Sequence, residues 1–208
     1  MYDCVIFDVD GTLIDTEKAV LCSLKKALQE ETAAEYSLAD LSFVMGLTGT
    51  DSLRRLGVKN VDAMNEQWNK YIKDYYHLVS VFTDIEFVLK ELHAMGMKTG
   101  IVTSKTEQEL KDDLGPFQLL KYLPYVVCAD DTIKHKPDPE PILKFGEIAN
   151  IELRRAIYIG DTMNDQQAAQ GAGVDFGLAL WGAGGKEMPG SKYQFASPRE
   201  IITAVKTK

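Results

Sequence analysis

Two aspartates one residue apart, Asp8 and Asp10, follow a short apolar run, Val5-Ile6-Phe7. The run suits a buried strand. Side chains alternate along a strand, so an i, i+2 pair shares a face only while the chain stays extended. Carboxylates this close repel unless a cation or a shared proton compensates. A hard dication held by oxygen ligands is the natural compensation, and Mg²⁺ fits a site of carboxylates and phosphate oxygens. Gly11 permits a sharp turn or a close ligand, and Thr12 and Thr16 add hydroxyls. Taken alone, the Asp-x-Asp fragment reads as an acidic turn after a strand. Chemistry follows only if the fold brings partners to the same place.

The elements that must do so are legible in the spacing. After residue 84 helical and strand patterns alternate. Helical spacing covers residues 84–95, 107–114, 140–149, 164–170 and 198–206, and β-like apolar runs fall at 98–103, 125–129, 156–159 and 174–180. With the first strand, these predict an α/β protein with a doubly wound parallel sheet covered on both faces. Between residues 17 and about 80 the spacing is helical throughout, at 17–31, 37–45, 51–56 and 61–78. Gly46 ends the second of these, and residues 47–50 read as a loop. A small helical unit therefore interrupts the chain after its first strand.

Ligands of such sheets bind outside the carboxyl ends of the strands. The second strand ends at Thr103-Ser104-Lys105, where a hydroxyl either meets a phosphoryl oxygen or caps the next helix. Beyond the third strand comes Lys136-Pro137-Asp138-Pro139-Glu140. Each proline disfavours helix for the residue before it, which makes this a stiff segment ahead of a helix. An ammonium fixed there is worth most where charge crowds in a water-poor site. Lys134 nearby reads as an ordinary solvated charge. The fourth strand ends at Gly160-Asp161-Thr162-Met163-Asn164-Asp165, with Asp165 placed either as an N-cap or as a ligand.

These four strings, in this order, resemble the four signatures of the haloacid dehalogenase-like hydrolase superfamily. The phosphoglycolate phosphatase-like branch with a small helical cap is the nearest in pattern. The resemblance implies a Rossmann-like core at residues 1–15 and 81–208 and a cap at 16–80, with hinges near residues 15–16 and 79–83. It makes Asp8 the nucleophile and Asp10 the general acid/base. Thr103, Ser104 and Lys136 then bind the phosphoryl group, with Gly11, Thr12, Thr48 and Gly49 also touching substrate. Mg²⁺ is implied as cofactor, held by Asp8, Asp161, the backbone carbonyl of Asp10 and Asp165, the last directly, through water or only as an orienting group. The implied activity is hydrolysis of small phosphate monoesters through an aspartyl-phosphate, or of pyrophosphate. Three rivals are a dehalogenase, a β-phosphoglucomutase-like mutase and a phospho-ligand sensor. Asp10 argues against the first, whose first signature lacks the second acid. Gly49 argues against the second, which typically carries an arginine there. A full catalytic set argues against the third.

Composition narrows the partners. The 208 residues are 45% hydrophobic with a net charge of −8, enough for a packed core and unsuited to nonspecific binding of nucleic acid or anionic membrane. The partner expected is a small phosphorylated metabolite, with a monomer or weak homodimer as the assembly. Cys4, Cys22 and Cys128 form no zinc or disulfide pattern, and the N-terminus shows no signal peptide, so a cytoplasmic protein is expected. No run reaches the roughly 18 apolar residues of a membrane span. His77 and His93 sit in helical segments with no ligand-spaced partner, His135 beside Lys136 reads as solvated, Trp68 reads as core of the helical unit, and residues 182–185 as a flexible loop near the site mouth with Trp181 beside it.

Overall fold

Alternation within the strands decides the architecture. The computed structural model describes residues 2–32, 35–185 and 187–206. Its strands are β1 (Cys4–Phe7), β2 (Ile14–Asp15), β3 (Ser80–Val81), β4 (Lys98–Val102), β5 (Tyr125–Val127), β6 (Ala156–Gly160), β7 (Asp175–Ala179) and β8 (Tyr193–Phe195). In β1, Val5 and Phe7 enter one apolar cluster while Cys4 and Ile6 enter another; in β6, Ile157 and Ile159 oppose Ala156 and Tyr158 in the same way. Strands buried on both faces are the mark of an interior parallel sheet. Six of them form it in the order β5-β4-β1-β6-β7-β8, with every neighbouring pair parallel.

Helices cover both faces. α5 (Ile85–Ala94), α6 (Glu107–Leu114) and α9 (Arg199–Lys206) pack on the cluster around Val5 and Phe7. α7 (Glu140–Ala149) and α8 (Met163–Ala172) pack on the cluster around Ile6 and Tyr158. The helices between β2 and β3 are α1 (Glu17–Thr32), α2 (Leu38–Leu41), α3 (Gly49–Arg55) and α4 (Val61–Tyr71). They close around a cluster of their own, Leu21, Leu24, Leu28, Leu41, Leu53 and Trp68 among it. Trp68 is held there by its indole N–H, which donates to Ser23 Oγ at 2.9 Å.

Several elements depart from the sequence reading. The two chain passages into and out of the insert pair as the antiparallel ribbon β2–β3, so the insert is not entered through plain linkers. β8 adds a sixth strand to the sheet, three residues too short to show a period of its own. Residues 61–78 are not one helix: α4 gives way at Ile72–Leu78 to a 3₁₀ segment. Residues 37–45 split likewise, with α2 passing into a 3₁₀ turn at Ser42–Val44.

Candidate active site

The site forms where β1, β4 and β6 end together. β1 lies between the other two, so the residues that follow the three strands, Asp8, Thr103 and Asp161, emerge side by side. The Asp8 amide still donates to Ile159 O at 2.8 Å, extending the β1–β6 ladder by one residue. The chain then doubles back: Leu13 and Ile14 N–H both donate to Val9 O, and Gly11 N–H to Ile14 O. Gly11 sits at the turn with φ of 71°, and a Cβ there would lie 2.2 Å from Asp161 Oδ2. Only glycine lets the turn press against that carboxylate.

Asp8, Asp161 and Asp165 form the buried acidic centre, each offering an oxygen within 4.8 Å of the others. One ammonium opposes them. Lys136 Nζ lies 2.8 Å from Asp8 Oδ1 and 2.6 Å from Asp165 Oδ1, with the lysine and both carboxylates almost wholly sealed from solvent. Nζ also donates to the Tyr158 hydroxyl at 3.0 Å, which stands 2.9 Å from Val102 O. Burial pushes the Asp8 carboxyl up to about 7 despite the Lys136 ammonium. Burial, followed by the charges of Asp165 and Asp8, holds Asp161 well above the carboxylate range. For Lys136, burial works against the ammonium, but Asp165 and Asp8 outweigh it and raise the group. Three carboxylates against one ammonium leave surplus negative charge in a buried, all-oxygen donor set. A hard divalent cation fits such a set.

Asp165 is already saturated by protein donors. Its Oδ2 accepts from Thr162 N–H at 3.0 Å and from the Thr162 hydroxyl, while Oδ1 takes Lys136 and Tyr158. Its own N–H donates to Thr162 Oγ1, so the pair forms the capping box of α8. Asp161 is the freer carboxylate; Thr12 Oγ1 stands 3.4 Å from its Oδ1.

Other residues singled out in the sequence fall around this centre. Asp10 lies outside the acidic cluster, its Oδ1 taking the Thr16 hydroxyl and Lys105 Nζ at 3.0 Å. Thr103 is buried, with its Oγ1 accepting from Lys105 N–H. Ser104 Oγ donates to Gly46 O at 3.1 Å, tying the end of β4 to the insert. Thr48 lies at the N-cap of α3, which begins at Gly49 where a loop was expected, and its hydroxyl is committed to Asp51. Gly49 faces the site; a Cβ there would meet Asn65 Oδ1 at 2.3 Å. The 182–185 segment forms a hydrogen-bonded turn after β7. Its N–H groups turn back onto Ala179 O and Leu180 O, and Trp181 Nε1 donates to Thr12 O at 3.0 Å. His77 Nδ1 meets Asp74 O and His93 stacks edge-on against Tyr122, whereas His135, expected to be solvated, has a buried Nδ1 with no partner among the described residues.

A cavity of about 370 Å³ opens between the insert and the sheet ends, lined by Asp8, Asp10, Lys136, Gly49, Asn65 and Lys105, among others. Sequence reasoning missed Tyr158, Lys105 and Asp113 within the core, and Asn65, Lys70, Lys73 and Tyr76 from the insert. One signal was present: Asp113 falls with Leu110 and Leu114 on the buried stripe of α6, where a charge needs a partner. Nothing in an exposed-looking helical face distinguishes Lys70 or Lys73 from solvated lysines.

The chain is similar to known proteins along most of its length. The family model for haloacid dehalogenase-like hydrolase matches residues 5–179. A phosphoglycolate phosphatase of Aquifex aeolicus is 32% identical over 183 residues, 86% of this chain and 84% of its own. Pyrophosphatase PpaX of Bacillus cereus is 29% identical over 178 residues, covering 85% of this chain and 82% of its own. A crystal structure from Lactobacillus plantarum, of a protein provisionally named a phosphoglycolate phosphatase, superposes with a TM-score of 0.87 at 28% identity, covering 98% of this chain and 99% of that one.

Proposed function

The chain belongs to the haloacid dehalogenase-like hydrolases and is an enzyme, a phosphoric monoester hydrolase; from that premise we propose that it hydrolyses small phosphate monoesters through an aspartyl-phosphate on Asp8. The observation that carries this is the contact of 2.8 Å between buried Asp8 and Lys136 at the floor of the cavity, with Asp10 on its wall. A carboxylate with a fixed cation beside it is a nucleophile held ready.

In this reading an Asp8 oxygen bonds to phosphorus as the bond to the leaving oxygen breaks, and that oxygen takes its proton from Asp10. Water then attacks the aspartyl-phosphate, gives its proton to Asp10 and releases phosphate and free Asp8. Lys136 neutralises charge on Asp8, and Thr103, next to Asp8 at the strand ends, donates to a phosphoryl oxygen. Ser104 joins the insert to the site. Gly11 and Thr12 shape the turn and steady Asp161. A divalent cation, Mg²⁺ by the hardness of the donors, would be held by Asp8, Asp161 and the Asp10 carbonyl, and when bound supplies charge neutralisation and alignment of the phosphoryl group. Asp165, taken up by Lys136, Tyr158 and Thr162, orients rather than ligates.

Residues 16–80 act as a cap over the site, hinged at the β2–β3 ribbon. Three things support a small substrate. The cavity is at the low end of the roughly 300–1,000 Å³ usual for small-molecule sites. The relatives named above act, by their names, on phosphoglycolate and on pyrophosphate. Asn65 fills the space beside Gly49 where an arginine would have to reach across for a distal phosphate. Pyrophosphate is the second reading, favoured by the PpaX relative. Kinetics on phosphoglycolate, pyrophosphate, hexose phosphates and a phosphopeptide test both. The highest kcat/KM is expected on one of the first two; a best substrate among the last two, or interconversion of hexose phosphates, overturns the reading.

A further inference from the structure

Lys105 takes no part in the chemistry above, yet its ammonium is enclosed between two carboxylates. Nζ lies 3.0 Å from Asp10 Oδ1 and 2.6 Å from Asp113 Oδ2, with side-chain exposures of 10% for Lys105, 18% for Asp10 and 3% for Asp113. From the insert, the Tyr76 side chain comes close enough to Asp113 to interact with its carboxylate. Thr16, at the start of α1, donates to the same Asp10 oxygen that Lys105 holds. A continuous chain of polar contacts thus runs from the insert through Tyr76, Asp113 and Lys105 to Asp10.

An ion pair with Asp113 alone would already be neutral, so a structural role does not require the third partner. Burial works against the Lys105 ammonium, but Asp10 and Asp113 outweigh it and keep it charged. The Lys105 ammonium is therefore a standing positive charge beside Asp10. Both contacts fall on Oδ1, and Asp10 lines the cavity.

We propose that Lys105 is a positioning residue for Asp10: with Thr16 it pins Oδ1, so that Oδ2 is presented to the leaving oxygen. Asp113, steadied by Tyr76 of the insert, keeps Lys105 in place. The inference rests on the reading of Asp10 as proton donor. It links seating of the insert to the geometry of that donor, because the insert supplies both Tyr76 and Thr16.

The test compares phosphoglycolate, whose alkyl leaving group needs a proton, with para-nitrophenyl phosphate, whose leaving group does not. Lys105→Met and the double variant Lys105→Met/Asp113→Leu are measured on both. Each is expected to lose on the order of 10²-fold in kcat/KM on phosphoglycolate, the size that a misplacement of about 1 Å costs. On para-nitrophenyl phosphate kcat/KM, which reports transfer to Asp8 and not the shared hydrolysis of the aspartyl-phosphate, should stay close to wild type. If the single variant fails to fold because Asp113 is stranded, the double variant carries the test. Recovery of wild-type kcat/KM on phosphoglycolate in the double variant would mean that Lys105 only neutralises Asp113, and would overturn the proposal. Equal losses on both substrates overturn it as well. Asp10→Asn on the same pair separates this inference from the one beneath it. If Asp10→Asn discriminates between the substrates and the Lys105 variants do not, only positioning fails; if Asp10→Asn costs both equally, the proton donor itself is misassigned.

Discussion

At the scale of single residues the site is a problem of crowded charge. Asp8, Asp161 and Asp165 share one buried volume with Lys136, and each departure from that set should be felt. Asp8→Asn keeps the shape and removes the nucleophile, so kcat should fall on the order of 10⁴-fold or more while the fold persists. Near-normal turnover by this variant, with an unchanged circular dichroism spectrum, would exclude an aspartyl-phosphate. Gly49 makes a packing prediction. Its missing Cβ is the space occupied by Asn65 Oδ1, an oxygen with no partner among the described residues. Gly49→Ala should lower the melting temperature, and Asn65→Ala in the same chain should restore most of the loss. An additive pair would show that the two do not meet in solution. Asp8, Asp10, Lys136 and Asp161 could be singled out because each lies at a strand end or in a proline-stiffened segment, and because the four strings together carry the resemblance that no one of them carries alone. Tyr158 was not, because a tyrosine inside Ala-Ile-Tyr-Ile looks like any strand residue until the fold puts its hydroxyl against Lys136.

Elements fix how steady those residues are. α8 begins with a capping box in which Thr162 and Asp165 satisfy each other's N–H groups. The same Asp165 carboxylate anchors Lys136, so a helix cap and the buried ammonium beside Asp8 depend on one side chain. Thr162→Ala should cost about 1 kcal/mol through the lost cap, a fall of about 2–4 °C in melting temperature for a chain of this size. Because Asp165 Oδ2 then loses one of its two partners, the Thr162 hydroxyl, and keeps only the Thr162 N–H, kcat should fall too, with KM less affected. A stability loss with unchanged kcat would show that the cap and the ammonium are independent. The strands that carry the site were readable because burial on both faces makes them continuous apolar runs. The ribbon of Ile14–Asp15 with Ser80–Val81 was not, since two residues per strand have no period, and their pairing is set by the fold around them. The break of α4 into a 3₁₀ segment escaped for a related reason: apolar spacing of three and four residues does not distinguish the two helix types at a helix end.

Across the whole molecule the decisive quantity is how the buried acids are compensated. In an unfolded chain Asp8 titrates near 3.9; in the fold, burial raises it to about 7. Between those values the folded state holds a proton that the unfolded state has lost. Stability without metal therefore falls as pH rises through this window, because the folded state binds the extra proton. A cation at Asp8 and Asp161 competes with that proton, and its binding releases it. Stabilisation by Mg²⁺ should accordingly grow with pH: small near pH 5, where the carboxyls keep their protons, and large near pH 8, where only the cation offsets their repulsion. Scanning calorimetry in Mg²⁺ and in chelator, at both pH values, measures it as a difference of melting temperatures. The chain's net charge of −8 draws cations weakly to the whole surface, so Asp161→Asn supplies the control. In that variant the Mg²⁺-dependent difference should shrink at pH 8 and lose most of its pH dependence. A difference that is the same at pH 5 and pH 8, or that survives Asp161→Asn intact, would place the cation elsewhere and leave the acidic centre compensated by Lys136 and protons alone.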